Sequence, residues 1–122
     1  MNALTLKWPQ IMVVEDDMLV SEALGIALES KHCRVLGPVA TLEDAYELLE
    51  ASNPDFALID YQLAAMTTEG LLASLNARHI PTCVLTGLRA NELPQAYAKC
   101  AVLQKPCRLD ALLHVLKQVR LG

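Results

Sequence analysis

Carboxylates follow two apolar segments of the sequence, at the point where each segment ends. Asp60 closes the run FALID at residues 56–60, and Glu15 and Asp16 follow the run IMVV at residues 11–14. Near-continuous apolar runs of this length are typical of strands that are buried on both faces of a parallel sheet. Open α/β sheets place their ligand sites at the carboxyl ends of such strands. The two acidic segments therefore predict one shared pocket, and a pocket rich in carboxylates predicts a bound cation.

Two further polar residues, Thr86 and Lys105, follow later apolar segments in the same way. Hard oxygen ligands at this density suit Mg²⁺, which keeps several waters and takes few carboxylates. With the cation present, repulsion among the acids is offset and Asp60 stays ionised as a nucleophile for phosphoryl transfer. The metal, Thr86 and Lys105 are then expected to hold the oxygens of an incoming phosphoryl group.

Five β-α units in strict alternation are predicted to position these side chains. The predicted strands cover residues 11–14, 34–36, 56–59, 82–85 and 102–103. The predicted helices cover residues 18–30, 42–51 and 92–99, with one more through Leu71, Leu72 and Leu75 and a last one after Pro106. This alternation predicts an α/β fold: a doubly wound, five-stranded parallel sheet between two helical layers, flavodoxin-like, with strand order 2-1-3-4-5. That order puts strands 1 and 3 side by side, so the acids that follow them meet.

Local signals mark several boundaries of these elements. Gly37 and Pro38 are expected to stop strand 2, and a loop is expected over residues 61–68. Thr41 is expected to cap helix 2, and Asp17 is expected to cap helix 1.

Composition narrows the class of protein. The chain has 122 residues, 53% of them hydrophobic, and a net charge of −4, which argues against a generic nucleic-acid binder. No segment has the ~18 apolar residues of a membrane span, and the N-terminus does not resemble a signal peptide. The four cysteines form no Cys-x-x-Cys pair, which favours small apolar fillers in a reducing cytoplasm. We expect a lead-in at residues 1–9 and one domain over residues 10–122.

Four motifs in order, each at the end of a successive strand, resemble the receiver domain of two-component response regulators: VVEDD, LID, VLTG and QKP. The resemblance implies that Asp60 accepts a phosphoryl group from a sensor histidine kinase or a histidine phosphotransfer protein. It further implies a Mg²⁺ site made of Asp16 as direct ligand, Glu15 as outer-shell partner, Asp60, and the backbone carbonyl of Gln62. Thr86 and Lys105 would contact the phosphoryl group.

Departures from the receiver pattern concern the output. Val102 stands where receivers usually carry an aromatic switch residue, Ala64 replaces a common proline, and Cys107 replaces a common phenylalanine. The loop after Asp60 is longer than usual, and the stretch between Thr86 and Lys105 is short. These features resemble stand-alone, single-domain receivers.

Three functions stay open at this point. The first is a phosphorylation-switched, non-enzymatic module that signals to an unknown downstream protein, through the helix 4–strand 5–helix 5 face, as a monomer or weak homodimer without nucleic acid or membrane. The second is a receiver-like scaffold that is never phosphorylated. The third is a haloacid dehalogenase-type phosphohydrolase, which needs a second aspartate where Gln62 stands.

Overall fold

A computed structural model describes residues 8–118, and within them a parallel sheet lies between helices. The strands are β1 (Gln10–Val14), β2 (Arg34–Val39), β3 (Phe56–Asp60), β4 (Gln62–Leu63), β5 (Met66–Thr67), β6 (Thr82–Thr86) and β7 (Ala101–Gln104). The α-helices are α1 (Met18–Ser30), α2 (Leu42–Ala51), α3 (Glu69–Ala77) and α4 (Leu109–Gln118). The main sheet has the order β2-β1-β3-β6-β7, and β4 pairs with β5 in a separate antiparallel hairpin. Counted within the main sheet, this is the predicted order 2-1-3-4-5, and the doubly wound α/β fold is confirmed.

The core consists of two apolar clusters, one on each face of the sheet. Alternate residues of β1 point to opposite faces, so Ile11 and Val13 join one cluster and Met12 and Val14 the other. Helices α1 and α4 cover the first face, and α2 and α3 cover the second. Because both faces are covered, every residue of β3 and of β6 is buried.

Strand register brings the carboxyl ends of the central strands to one level. Val14 of β1 pairs with Ile59 of β3, so the residue after β1 lies beside Asp60. Asp60 pairs in turn with Leu85 of β6. The predicted meeting of the two acidic segments therefore follows from the sheet itself.

Both predicted helix caps are present. Asp17 Oδ1 accepts hydrogen bonds from the Leu19 and Val20 amides at 2.9 and 3.3 Å, at the start of α1. Thr41 Oγ1 accepts one from the Asp44 amide at 3.1 Å, at the start of α2. The first turn of each helix is thus satisfied by the side chain that the sequence predicts.

The prediction that strand 2 ends before Gly37 and Pro38 was wrong. Strand β2 continues to Val39, whose carbonyl accepts a hydrogen bond from the Glu15 amide at 2.9 Å. An edge strand tolerates a proline because its missing amide is not needed on the open side. Gly37 supplies the positive φ of 93° that this irregular stretch requires.

The predicted helix over residues 92–99 was also wrong. Two short 3₁₀ turns, Ala90–Glu92 and Gln95–Tyr97, take its place. Leu93 and Pro94 between them are extended, with ψ values of 150° and 157°. A residue before proline is disfavoured in the α region, so the chain does not continue from one turn into a helix. The predicted loop over residues 61–68 likewise contains the β4–β5 hairpin.

The predicted lead-in falls mainly on residues outside the described range. Trp8, at its described end, places its ring against that of His32, with centroids 5.1 Å apart. None of the helices within residues 8–118 has the length and hydropathy to cross a membrane. All four cysteines are free, and Cys33 and Cys83 are buried in the first apolar cluster, as expected of apolar fillers.

Candidate functional site

Three acids meet at the carboxyl edge of the sheet. Asp60 is the last residue of β3, and Glu15 and Asp16 directly follow β1. One carboxylate oxygen of each residue lies within 4.8 Å of the others. Asp60 and Glu15 are 1% and 2% exposed, whereas Asp16 faces solvent. The cluster is therefore open on one side and desolvated on the other.

Lys105 supplies a positive charge to this cluster. Its Nζ atom lies 2.8 Å from Glu15 Oε1 and 3.0 Å from Asp60 Oδ1. The lysine follows β7, and its amide donates a hydrogen bond to the Thr86 carbonyl at 2.8 Å, which fixes its backbone against β6. Burial disfavours the ammonium, but the hydrogen bonds to Glu15 and Asp60 outweigh it, so the pKa of Lys105 is raised. One ammonium thus contacts two of the three acids in the cluster.

The Asp60 carboxyl is strongly perturbed. Burial, followed by the nearby Glu15 carboxylate, raises the pKa of Asp60 to about 8, although Lys105 acts in the opposite direction. Asp60 Oδ1 contacts Lys105 as an ion pair, whereas Oδ2 has no polar partner among residues 8–118. A divalent cation fits this arrangement, because it would offset the excess negative charge and give the buried oxygen a partner.

A backbone amide holds Asp16 in place. Asp16 Oδ2 accepts a hydrogen bond from the Ala64 amide at 3.1 Å, and this bond is the main reason why the pKa of Asp16 is lowered. A proline, which the resemblance to receivers implies as the common residue at position 64, would have no amide hydrogen to donate. The sequence departure at Ala64 therefore has a direct structural consequence: the Ala64 amide lowers the pKa of an exposed acid and orients it toward the cluster.

Thr86 and Gln62 border the pocket beside the acids. The pocket has a volume of about 550 Å³ and is lined by Asp60, Tyr61, Gln62, Leu85, Thr86, Gly87, Leu88 and Lys105. The Thr86 hydroxyl accepts a hydrogen bond from the Leu88 amide at 3.0 Å, which leaves its own proton available to a ligand in the pocket. Gln62 begins β4 and is exposed. Its carbonyl as a metal ligand, like the roles of Thr86 and Lys105 toward a phosphoryl group, stays a prediction.

Two buried residues that the sequence did not single out lie behind the site: Thr68 contacts its backbone, and Tyr97 contacts Thr68. Thr68 Oγ1 donates a hydrogen bond to the Asp60 carbonyl at 2.6 Å, and it lies 2.9 Å from the Tyr97 hydroxyl. Thr68 and Tyr97 are 0% and 2% exposed. A threonine directly before a helix predicts a cap, but Thr68 makes no side-chain cap on α3. The contact with Tyr97 joins residues 29 positions apart, and no local pattern announces it.

Comparison with known proteins points to one family. The family model of the response regulator receiver domain matches residues 11–117. The sensory transduction protein LytT of Bacillus cereus is 38% identical over 56 residues, which are 45% of this chain and 23% of LytT. The solution structure of SdrG from Sphingomonas melonis Fr1 has a TM-score of 0.81 and 28% identity, covering 92% of this chain and 96% of SdrG. The BeF3-activated conformation of SdrG, from Pseudomonas melonis Fr1, has a TM-score of 0.77 and 29% identity, with coverages of 91% and 95%.

Proposed function

Because this chain belongs to the response regulator receiver domain family, we propose that it accepts a phosphoryl group on Asp60 in two-component signalling. The family consists in general of signalling domains and not of enzymes with turnover. The observation that carries the proposal is the surroundings of Asp60: two further acids within 4.8 Å and the Lys105 ammonium at 3.0 Å. We further propose that the domain covers residues 10–122 and that the protein acts in the cytoplasm.

The proposed reaction is a phosphoryl transfer from a sensor histidine kinase or a histidine phosphotransfer protein. An Asp60 carboxylate oxygen forms a bond to phosphorus, the bond from phosphorus to the imidazolium ring of the donor breaks, and the ring leaves neutral. Asp16, Asp60 and the Gln62 carbonyl would hold Mg²⁺, with Glu15 behind them. The ion supplies positive charge to the acceptor and to the phosphoryl oxygens when it is bound.

Lys105 and Thr86 have complementary tasks in this scheme. The Lys105 ammonium, paired with Asp60 before transfer, is free to pair with a phosphoryl oxygen afterwards. The Thr86 hydroxyl donates its free proton to another oxygen. The added charge then reorders the loops after β3 and β6 and changes a contact with a downstream protein.

The direct test is incubation with acetyl phosphate and Mg²⁺, followed by intact-mass measurement. We expect the wild-type chain to gain one phosphoryl group, and the gain to disappear in Asp60→Asn and when EDTA removes the metal. Asp55→Asn is a matched control, because Asp55 precedes β3 at the opposite end of the strand and accepts a bond from the Gln10 amide. Equal labelling of the wild type and Asp60→Asn would contradict the proposal, as would no labelling of either.

A scaffold that is never phosphorylated is the second candidate. The observation in its favour is the absence, within the described residues, of the helix predicted at 92–99, which is part of the predicted output face. Under this alternative, partner binding is expected to be tight and unchanged in Asp60→Ala. Under the leading proposal, binding is expected to change when Asp60 is phosphorylated.

A further inference from the structure

A continuous chain of hydrogen bonds leads from the Asp60 backbone to the segment between β6 and β7. The Thr68 hydroxyl has one proton, and the Asp60 carbonyl can only accept, so Thr68 donates to it at 2.6 Å. The Tyr97 hydroxyl, 2.9 Å from Thr68 Oγ1, must then be the donor of the second bond. The order of donation is Tyr97 to Thr68 to Asp60.

The Thr68 hydroxyl is placed to report movement of the loop that follows Asp60. Besides the Asp60 carbonyl at 2.6 Å, the Tyr61 carbonyl lies 3.2 Å from Thr68 Oγ1. The single hydroxyl proton of Thr68 is therefore within reach of two successive carbonyls. A shift of these carbonyls that draws Thr68 Oγ1 with it also moves the oxygen that Tyr97 contacts.

Tyr97 is the sole buried residue of residues 87–100. Its ring packs in the apolar cluster that Val102 also contacts, and it meets the Tyr61 ring edge-on at 5.3 Å between centroids. Burying a hydroxyl is unfavourable unless it is paired, so the Thr68 bond holds Tyr97 in this position. The rest of the segment is exposed or half-buried and is therefore free to follow Tyr97.

We propose that Thr68 and Tyr97 are positioning residues that transmit the state of Asp60 to residues 87–100, a route that does not depend on an aromatic residue at position 102. This inference rests on the proposed phosphorylation of Asp60. The loop over residues 61–67 connects the proposed metal site with Thr68. Gln62 lines the pocket and the Ala64 amide contacts Asp16, while Thr68 directly follows the loop. A phosphoryl group on Asp60 displaces this loop, Thr68 Oγ1 shifts with the carbonyls that it contacts, and Tyr97 moves with it.

The experiment combines two readouts on the same samples. Hydrogen exchange of peptides covering residues 90–98 is measured with and without Mg²⁺ and BeF3, and acetyl phosphate labelling is measured by intact mass. We expect the wild type to change its exchange in this segment. In Tyr97→Phe and Thr68→Val the change in hydrogen exchange should be about fivefold smaller, because the net free energy of one hydrogen bond corresponds to about that factor in an equilibrium constant. Both variants should still incorporate phosphate.

Two control variants separate the hydroxyl chain from general perturbation. Thr68→Ser keeps the hydroxyl and should respond like the wild type. Tyr46→Phe removes a tyrosine hydroxyl from α2 and should also respond like the wild type. The Tyr46 hydroxyl makes no hydrogen bond among residues 8–118. If Tyr97→Phe fails to fold, the comparison of Thr68→Val with Thr68→Ser decides alone.

The outcomes distinguish this inference from the proposed function. A wild type that is phosphorylated, together with Tyr97→Phe and Thr68→Val variants that respond fully, would overturn the route and leave the proposed function intact. A wild type that takes up neither phosphate nor BeF3 would overturn the proposed function, and this inference with it.

Discussion

The two sides of the pocket are built in different ways. On the β1–β3 side, the strands are buried and the acids are fixed by an ammonium and by backbone amides. On the β6–β7 side, residues 87–92 are all exposed, and two 3₁₀ turns replace a helix. The first side is arranged to hold charges at set distances. The second places one fully buried side chain, Tyr97, in the core, with Leu93 and Cys100 half-buried against the same cluster. Segments with few buried contacts open at low free-energy cost, so change is expected on the second side.

Removal of the one fully buried side chain of residues 87–100 should give the largest effect. Tyr97→Ala leaves a cavity where an aromatic ring was buried and is expected to lower the free energy of unfolding by about 3–5 kcal/mol. Urea denaturation measures the loss. Leu88→Ala is the control within the same segment; because Leu88 is 36% exposed, its loss should stay below about 1 kcal/mol. Similar losses for the two variants would break the comparison, since the buried Tyr97 would then contribute no more to stability than the exposed Leu88.

Removal of the ammonium on the acid side should have the next largest effect. Lys105→Met leaves the buried Glu15 and Asp60 carboxyls without their counter-charge, and we expect a loss of about 3 kcal/mol in EDTA at alkaline pH. The exposed Lys99 provides the control, and Lys99→Met should be nearly neutral. Added Mg²⁺ should recover much of the loss in Lys105→Met. A loss that Mg²⁺ leaves unchanged would argue against a cation at the three acids.

The pH dependence of Asp60 gives a third test. The pKa of this carboxyl rises from 3.8 to about 8 in the folded state. Between these two pH values the folded chain therefore keeps a proton on Asp60 that the unfolded chain has released. Stability contributed by the site should therefore be greatest at low pH and fall as pH rises from about 4 to 8. Asp60→Asn cannot ionise, so in EDTA it should be more stable than the wild type by about 2 kcal/mol near pH 8. Thermal unfolding across this range should show the two curves converging near pH 4.

Mg²⁺ should reverse the order of stability of the wild type and Asp60→Asn near pH 8. The wild type is expected to gain stability with the metal at pH 8, and Asp60→Asn is expected to gain less, because it has lost one charged ligand. A stability gap that is constant from pH 4 to pH 8 would show that Asp60 does not titrate in this window.

The acid side could be predicted from the sequence because its signals are local. An apolar run that ends in a carboxylate identifies both the strand and the side chain at its carboxyl end, as at Asp60 and Glu15. The parallel sheet then brings these ends together without any further information. The caps at Asp17 and Thr41 follow from the residue type next to a helix start.

The other side could not be predicted, since its pattern is ambiguous. Leu93 and Tyr97 are four residues apart, a spacing that fits one helical turn as well as two short turns. Pro94 is compatible with a first helical turn, and the extended Leu93 shows which alternative was taken. The pairing of Thr68 with Tyr97 is a contact between distant parts of the chain, which only the folded structure brings together.

The smallest expected effect concerns strain on the otherwise rigid acid side. Ala64 has a φ of 54°, in the left-handed region where a Cβ atom is unfavourable, yet its amide holds Asp16. Ala64→Gly keeps the amide and relieves the strain, so a gain in unfolding free energy of about 0.5–1 kcal/mol is expected. The adjacent Ala65→Gly should instead lose about 0.5 kcal/mol, since glycine adds only flexibility to the unfolded chain there. If both glycine variants lose stability equally, the left-handed conformation at Ala64 is wrong, and with it the orientation of the amide that fixes Asp16.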